Sequence, residues 1–273
     1  MGSQHYSDSP QEVYNAACGF GFERLVYRGS CSHENCPTRG KSWVCYCRVA
    51  GSDVSHVPHL LVTGPWVAAR LDVTPEQSRH LTTVLRRDLG SAVAYTDGSG
   101  LIGEGTWTGV DIERGEELFT PEPLASLTLA VAPPDSKERV RWLIEKSTEL
   151  GVGRIRWIRT QFGQGRLPRQ DKAQAWMKSA LEQSRRARVT VIDSDWSGLG
   201  ELGDFVAADQ AGGQFRSARS VTVAIGPEGG WAQTELPAGT PLVSLGDSVL
   251  RSETAAIAAA AVFQANLIEE LNQ

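Results

Sequence analysis

Two glycine-marked segments near the C-terminus have residue types and spacing that suit contact with a ligand. The first, Ile225-Gly-Pro-Glu-Gly-Gly230, directly follows the short apolar run 221–224. Its three glycines and its proline allow the backbone to turn sharply and to approach a bound molecule closely. A tight turn without a ligand is the alternative interpretation when this segment is considered alone.

The second segment, 245–255, reads Leu-Gly-Asp-Ser-Val-Leu-Arg-Ser-Glu-Thr-Ala and leads from a predicted strand into a predicted helix. We expect Ser252 to cap that helix, which is rich in alanine. Small side chains allow close approach of the backbone, although alanine is also the best helix former. Helix propensity alone does not explain why Arg251 and Glu253 precede the alanines, so we interpret the segment as a second ligand-facing loop.

From Ser126 onward the apolar pattern alternates between strands and helices. The predicted strands are 127–132, 154–160, 189–192, 205–208, 221–225 and 242–245, and the predicted helices are 137–150, 172–186 and 252–271. This alternation predicts an α/β domain with a mostly parallel sheet and helices on both faces. Ligands bind such sheets at the carboxyl ends of strands, which is where both glycine-marked segments begin.

Residues 58–123 have the pattern of a small β-rich domain, with a helix that starts after Thr74 and runs to Leu85. The stretch Gly98-x-Gly100-x-x-Gly103 matches the dinucleotide-binding fingerprint, which requires a helix immediately afterwards. The following residues, 104–109, are strand-like and interrupted by glycines. We therefore interpret the match as a glycine-rich hairpin and not as a nicotinamide site.

The composition is that of an ordinary globular protein, with 41% hydrophobic and 22% charged residues. No apolar run reaches the length of a membrane helix, and the N-terminus lacks the pattern of a signal peptide. These features predict a cytoplasmic protein without a membrane partner.

The net charge of −5 is unevenly distributed. Between Asp135 and Thr190 there are fourteen Lys and Arg residues against six Asp and Glu residues. Such a local surplus of positive charge predicts a surface for a phosphate backbone. A solvated helix face is the alternative.

All five cysteines lie between Cys18 and Cys47, so disulfides do not hold the rest of the chain together. Residues 1–57 lack sustained periodicity, and we predict a poorly ordered extension. A zinc site formed by Cys31, Cys36, Cys45 and Cys47 with His33 is the alternative. Because the spacing departs from the usual C-x2-C pairs, no metal site is assigned.

Together, the two glycine-marked segments resemble the paired signature of the RsmE family, which are 16S ribosomal RNA (uracil-N3) methyltransferases of the SPOUT superfamily. Three other stretches are similar to that family in the same order: His80-Leu-x-x-Val-Leu-Arg86, the run 142–152 ending in Thr-Glu-Leu-Gly-Val, and Glu182-Gln-Ser184 followed by Arg186, Arg188 and Val189. The similarity covers about residues 58–270.

The resemblance implies a PUA-like RNA-binding β-barrel at 58–123 and a SPOUT methyltransferase domain with a C-terminal trefoil knot at 124–273. The knot would bring the two glycine-marked segments together around S-adenosyl-L-methionine. A homodimer with the site near its interface is also implied. The implied cofactor-binding residues are Ile225, Gly226, Pro227, Glu228, Gly229, Gly230, Leu245, Gly246 and Leu250.

The activity implied by the resemblance is methylation of N3 of a uridine in 16S ribosomal RNA, a step of rRNA processing in ribosome biogenesis. The partner would be that RNA or the small ribosomal subunit. Loss of the N3 proton leaves negative charge on the uracil, and Arg251 is the predicted catalytic residue that stabilises it. An ion pair of Arg251 with Glu228 or Glu253 is the alternative. No general base is identified.

Three arginines in the similar stretches are predicted to bind the RNA backbone, where charge matters more than sequence: Arg86, Arg186 and Arg188. Each of them would otherwise be an ordinary surface arginine.

Two positions depart from the family pattern. Arg185 replaces the usual glycine between Gln-Ser and Arg, and Thr160-Gln-Phe-Gly163 replaces the usual Thr-Glu-Arg-Ser. Both lie in the region predicted to face RNA, so a SPOUT methyltransferase that acts on another RNA stays an alternative. A non-catalytic RNA-binding module of ribosome assembly is a further alternative, against which the intact glycine-marked segments argue.

Overall fold

In the computed structural model, the described residues are 57–66, 68–217 and 219–271, together with two strands nearer the N-terminus. Those strands are β1 (Leu25–Ser30) and β2 (Ser42–Cys47), which pair antiparallel. They belong to a unit of their own, separate from the unit that residues 58–271 form. The sequence had predicted no strand there, and the zinc alternative involving His33 and the four cysteines lies outside the described side chains.

The first part of the larger unit is a five-stranded sheet with one short helix. Its strands occur in the order β3-β5-β6-β7-β4, and β3 and β5 are parallel while the other neighbours are antiparallel. The elements are β3 (His59–Leu61), β4 (Arg70–Asp72), α1 (Pro75–Arg79), β5 (Ala92–Thr96), β6 (Leu101–Trp107) and β7 (Asp111–Phe119).

Helix α1 starts where the sequence predicted, because Thr74 forms a capping box with Gln77. The Gln77 amide donates to the Thr74 hydroxyl at 3.2 Å, and the Thr74 amide donates to the Gln77 side chain at 3.0 Å. The predicted continuation to Leu85 has a different geometry, since His80–Val84 forms a π-helical turn. The Leu85 amide accordingly donates to the His80 carbonyl at 2.9 Å.

The literal dinucleotide fingerprint lies in the hairpin between β5 and β6, as predicted, and no helix follows it. Gly103 is paired with Tyr95, and a side chain at position 103 would overlap the buried Tyr95 ring. The glycine is therefore required by packing within the sheet and not by a ligand.

The second part of the larger unit contains six parallel strands in the order β10-β9-β8-β12-β11-β13. The strands are β8 (Leu127–Val131), β9 (Arg154–Ile158), β10 (Val191–Ser197), β11 (Val206–Gln214), β12 (Val221–Ile225) and β13 (Leu242–Ser244). The long helices are α2 (Lys137–Glu149), α3 (Gln170–Ser184) and α4 (Ser252–Leu271). The α/β class and the parallel sheet agree with the sequence prediction.

The prediction of helices on both faces of this sheet was wrong. All three long helices share one hydrophobic core with the same face of the sheet, as Leu143, Met177 and Phe263 illustrate. The opposite face, around Ala130 and Ala224, is covered by the 3-10 turn Leu199–Glu201 and by the partly buried Trp231 and Leu236. The physical reason is that β8, β9 and β10 progress in one direction, so right-handed crossovers place α2 and α3 on the same side.

The two parts of the larger unit are joined through the segment 182–189. The Leu61 amide donates to the Glu182 carboxylate at 3.0 Å, and the Gly100 amide donates to the Ala187 carbonyl at 3.0 Å. The buried His59 places its ring nitrogen 3.4 Å from the Arg186 carbonyl. These long-range hydrogen bonds fix the five-stranded sheet against helix α3.

Among the described residues, the helices are either too short or too polar to cross a lipid bilayer.

We predict that His59 makes the stability of this junction depend on pH. Burial lowers the pKa of His59 from 6.5 to about 4, so the folded chain keeps this ring neutral when the unfolded chain has already bound a proton. The free energy of unfolding should therefore fall by about 3 kcal/mol as pH decreases from about 6.5 to 4. Urea denaturation of His59→Gln should show a weaker dependence over this range.

The exposed His80 supplies the control, because His80→Gln should keep the pH dependence of the wild type. An unchanged pH dependence in His59→Gln would contradict the assignment.

Candidate functional site

A cleft of about 290 Å³ lies at the carboxyl ends of three neighbouring strands, β11, β12 and β13. The lining residues are 208–210, 225–231, 244–246, 248–250 and Ala255. Its volume approaches the lower end of the range of about 300–1,000 Å³ that is usual for small-molecule sites. Its position is the one expected for a ligand site in a parallel sheet.

The structure brings all nine residues predicted to bind a cofactor into this one cleft. Residues 225–230 form its first wall, and Leu245, Gly246 and Leu250 lie on the second. In the sheet β11 lies between β12 and β13, so the loops that follow β12 and β13 flank the end of β11 and line the same cleft. The nine residues thus share one location, and their role in cofactor binding stays a prediction.

A bulge in β11 adds two polar residues that sequence reasoning missed. Ala208 and Gly213 both pair with Val243, so the residues between them leave the regular ladder. Asp209 and Gln210 thereby line the cleft. No local pattern predicts this bulge, since it depends on the register between β11 and β13.

The turn after β12 is shaped by Trp231. Its ring nitrogen donates to the Ala208 carbonyl at 3.0 Å, which fixes the indole beside the loop. A Cβ atom at position 226 would lie 3.1 Å from that ring, so Gly226 provides the space for it. Gly230 has a φ of 72° and its amide donates to the Pro227 carbonyl at 2.9 Å, which closes the turn.

The lining of the cleft contains acidic side chains and no basic ones among the described residues. The acidic side chains are those of Asp209 and Glu228. A ligand with phosphate groups would need cationic partners there, while a positively charged ligand is favoured by the Asp209 carboxylate.

Arg139 on α2 holds both sides of the cleft in place and was not predicted from the sequence. Its guanidinium donates to Glu228 at 2.9 Å and to Asp135 at 2.5 Å, and the same Nη1 lies 4.0 Å from the Glu253 carboxylate. Glu253 is only 6% exposed. One cation therefore connects the loop after β12, the start of α2 and the first turn of α4.

The predicted alternative for Arg251, an ion pair with Glu228 or Glu253, was wrong: Glu228 pairs with Arg139 at 2.9 Å, and the buried Glu253 also has Arg139 and not Arg251 as its nearest cation, at 4.0 Å. Arg251 is exposed directly after Leu250, and it forms no ion pair with any other residue that the structure describes. It is not part of the cleft lining, so a catalytic role requires a substrate that reaches the mouth of the cleft. That role stays a prediction.

The prediction that Ser252 caps α4 was also wrong. The Arg251 carbonyl accepts the first helical hydrogen bond, from the Ala255 amide at 2.8 Å, so Arg251 occupies the cap position. The Ser252 hydroxyl is buried and has no hydrogen-bond partner among the described atoms.

The three arginines predicted to bind RNA have different surroundings. Arg86 is exposed, with a φ of 51°, just after the π-helical turn. The guanidinium of Arg186 packs against Gly151, and burial lowers the pKa of this group. Arg188 is 18% exposed and donates to the carbonyls of Ser99 and Thr120 and to Glu122.

The Arg188 side chain therefore stabilises the junction between the two sheets, and the Arg186 guanidinium packs within the second part of the unit. The contacts of both give no support to the predicted role in RNA binding. Only Arg86 presents its side chain to solvent as that role requires.

A metal site is not evident in the described part of the chain, where no three His, Cys, Asp or Glu side chains are grouped suitably.

A family model described as an RNA methyltransferase domain matches residues 120–264. The chain is 27% identical over 209 residues to the ribosomal RNA small subunit methyltransferase E of Rickettsia conorii, which covers 67% of this chain and 84% of that protein. These matches confirm the resemblance to the RsmE family that the sequence motifs indicated.

Solved structures show the same fold. The ribosomal RNA small subunit methyltransferase E of Neisseria gonorrhoeae, bound to S-adenosyl methionine, is 26% identical with a TM-score of 0.67 and covers 77% of this chain and 98% of its own. A probable rRNA-methyltransferase of Porphyromonas gingivalis is 24% identical with a TM-score of 0.67, covering 78% and 100%. A putative methyltransferase of Legionella pneumophila is 23% identical with a TM-score of 0.68, covering 77% and 97%.

We predict that Arg139→Ala loosens both walls of the cleft. Removing the guanidinium leaves the buried Glu253 carboxylate without its cation, which should lower the free energy of unfolding by about 1 kcal/mol. Hydrogen exchange should become faster in 226–231 and in 245–251. The measurement is hydrogen exchange followed by mass spectrometry.

Arg141→Ala is the matched control, since Arg141 pairs only with Glu145 on the exposed side of α2. If hydrogen exchange in Arg139→Ala stays as slow as in the wild type in 226–231 or in 245–251, Arg139 does not connect the two walls.

Proposed function

Because the chain belongs to the RNA methyltransferase domain family, we propose that it transfers a methyl group from S-adenosylmethionine to N3 of a uridine in 16S ribosomal RNA. The cofactor is supported by the Neisseria gonorrhoeae structure, which is bound to S-adenosyl methionine. The substrate is supported by the small-subunit enzyme of Rickettsia conorii. The choice of N3 rests on the motifs shared with the RsmE family.

The observation that carries the proposal is the acidic cleft formed jointly by the two glycine-marked segments. S-adenosylmethionine carries a sulfonium, an ammonium and a carboxylate group and is positively charged overall. Asp209 supplies opposite charge in the cleft lining, whereas Glu228 is paired with Arg139. Its flat adenine suits the apolar side chains of Ile225, Leu245 and Leu250. The residues present therefore fit this cofactor better than a phosphate-bearing one.

S-adenosylmethionine supplies, when bound, an electrophilic methyl group on its sulfonium. The contribution of the chain is chiefly positioning, because an in-line displacement depends on the alignment of the two reactants. Arg139 contributes to this positioning, because it pairs with Glu228 in the first wall and approaches Glu253 directly after the second. We propose that Arg251, which is exposed directly after Leu250 of the cleft lining, stabilises the negative charge that the uracil acquires when its N3 proton is lost.

We infer the domain division that the sequence predicted: an extension at 1–57, a PUA-like RNA-binding domain at 58–123 and a knotted SPOUT domain at 124–273. The five-stranded sheet and the six-stranded parallel sheet support this division. The knot is supported by the position of the two glycine-marked segments, which line the same cleft. We also propose that the chain forms a homodimer, that it is located in the cytoplasm and that it acts on the small ribosomal subunit.

A second candidate is methylation of a different RNA, which one observation favours. Phe162 is exposed where the family usually has arginine. Mass-spectrometric mapping of modified nucleosides in a deletion strain separates the candidates, because the missing modification identifies the RNA.

We predict that Gly226→Val abolishes binding of S-adenosylmethionine in calorimetric titration. Valine at this position would press against the Trp231 ring and narrow the first wall of the cleft. Gly200→Val is the matched control, since Gly200 has open space around it and lies in the 3-10 turn on the helix-free face of the six-stranded sheet. Absence of binding by the wild type would instead favour a non-catalytic RNA-binding module.

A separate prediction concerns Arg251. Arg251→Ala should lower kcat by about 100-fold while the Kd for S-adenosylmethionine stays within about twofold of the wild type, because the side chain lies outside the cleft lining. Steady-state kinetics with small-subunit RNA and calorimetry provide the two values. Arg251→Lys should recover part of kcat, and an unchanged kcat in Arg251→Ala would exclude the role.

A further inference from the structure

The loop after β9 lies at the same end of the sheet as the cleft and is tied to its first wall. The Glu235 carboxylate accepts hydrogen bonds from the Gln161 amide at 2.5 Å and from the Ala232 amide at 3.0 Å. Since Ala232 directly follows Trp231 of the cleft lining, one carboxylate fixes the position of this loop next to the cleft.

Phe162 in this loop contacts the first wall. A Cβ atom at Gly229 would lie 3.1 Å from the Cβ of Phe162, so the absence of a side chain at position 229 allows the contact. The phenylalanine is nevertheless 47% exposed, and it belongs to none of the hydrophobic core clusters. Packing of the fold therefore does not account for an aromatic residue here.

The stretch of chain that contains Phe162 is rich in arginine. Arg159, Arg166 and Arg169 are exposed in the same stretch of chain. Arg159 stacks over Trp196 at 5.0 Å, and Arg169 pairs with Asp171, whereas Arg166 has no ion pair within the described residues. An exposed aromatic side chain flanked by arginines is the combination that binds single-stranded nucleic acid, by base stacking and by phosphate contact.

We propose that Phe162 is a stacking platform for an RNA nucleobase at the mouth of the cleft, and that Arg166 contacts the phosphate backbone beside it. The proposal rests on the proposed function, since it assumes an RNA substrate. Stacking is tolerant of base identity because every base has a π face, so Phe162 contributes to affinity and to orientation of the strand more than to recognition of one base.

The test compares Phe162→Ala, Phe162→Leu and Phe162→Trp in the full chain. Two fluorescent oligomers of equal length serve as probes, oligouridylate and an abasic sugar-phosphate chain. Phe162→Ala and Phe162→Leu should weaken binding of oligouridylate about tenfold to hundredfold and leave the abasic chain unaffected, because only stacking requires a base. Phe162→Trp should bind oligouridylate at least as tightly as the wild type.

Arg166→Ala should weaken binding of both probes, because both carry the phosphate backbone. Val191→Ala is the matched control, since Val191 is also 47% exposed but lies in the edge strand β10. It should leave both affinities unchanged.

Methylation of small-subunit RNA gives an independent readout. KM for the RNA should rise in Phe162→Ala by the same factor as Kd, while the Kd for S-adenosylmethionine stays constant. Equal binding of oligouridylate by Phe162→Ala and the wild type would overturn the proposal, as would equal effects on the two probes. These binding results decide the proposal even if the wild type methylates no RNA, an outcome that would contradict only the proposed function.

Discussion

The guanidinium of Arg139 is the interaction on which the geometry of the cleft depends. The two walls come from loops after β12 and β13, which are not neighbours in the sheet, and hydrogen bonds between strands do not hold the loops themselves. Arg139 on α2 pairs with Glu228 in the loop after β12 at 2.9 Å, and the same guanidinium lies 4.0 Å from Glu253 in the first turn of α4, directly after the loop that follows β13. Because Glu253 is buried in the first turn of α4, the cation also links the cleft to the hydrophobic core that α2 and α4 share with the sheet.

Negative and positive side chains are concentrated in different places on the molecule. Carboxylates line the cleft, whereas exposed arginines are concentrated in the stretch of chain that follows β9, where a polyanion would be attracted. The net charge of −5 hides this division, since it sums over both surfaces. Arg186 and Arg188 belong to neither group, because the Arg186 guanidinium packs against Gly151 and Arg188 donates to the Ser99 carbonyl in the hairpin between β5 and β6.

The sequence predicted best the features that depend on local interactions. The bounds of β12 and α4 and the start of α1 at Thr74 agree with the structure, because apolar runs, alanine content and a capping box act within a few residues. The partners of Arg139 and the bulge of β11 could not be predicted, since they depend on residues far apart in the chain and on strand register. The nine cofactor residues were found together only through the resemblance to a known family, which contains the long-range information that a local pattern lacks.

The most direct test of the central claim is a crystal structure of the chain with S-adenosylmethionine. The account predicts one cofactor molecule that contacts both 225–230 and 245–250, with Asp209 facing its positive charge. A cofactor that contacts only one of these segments, or that lies elsewhere, such as at the glycine-rich turn 98–103, would contradict the claim that the two loops form a single site.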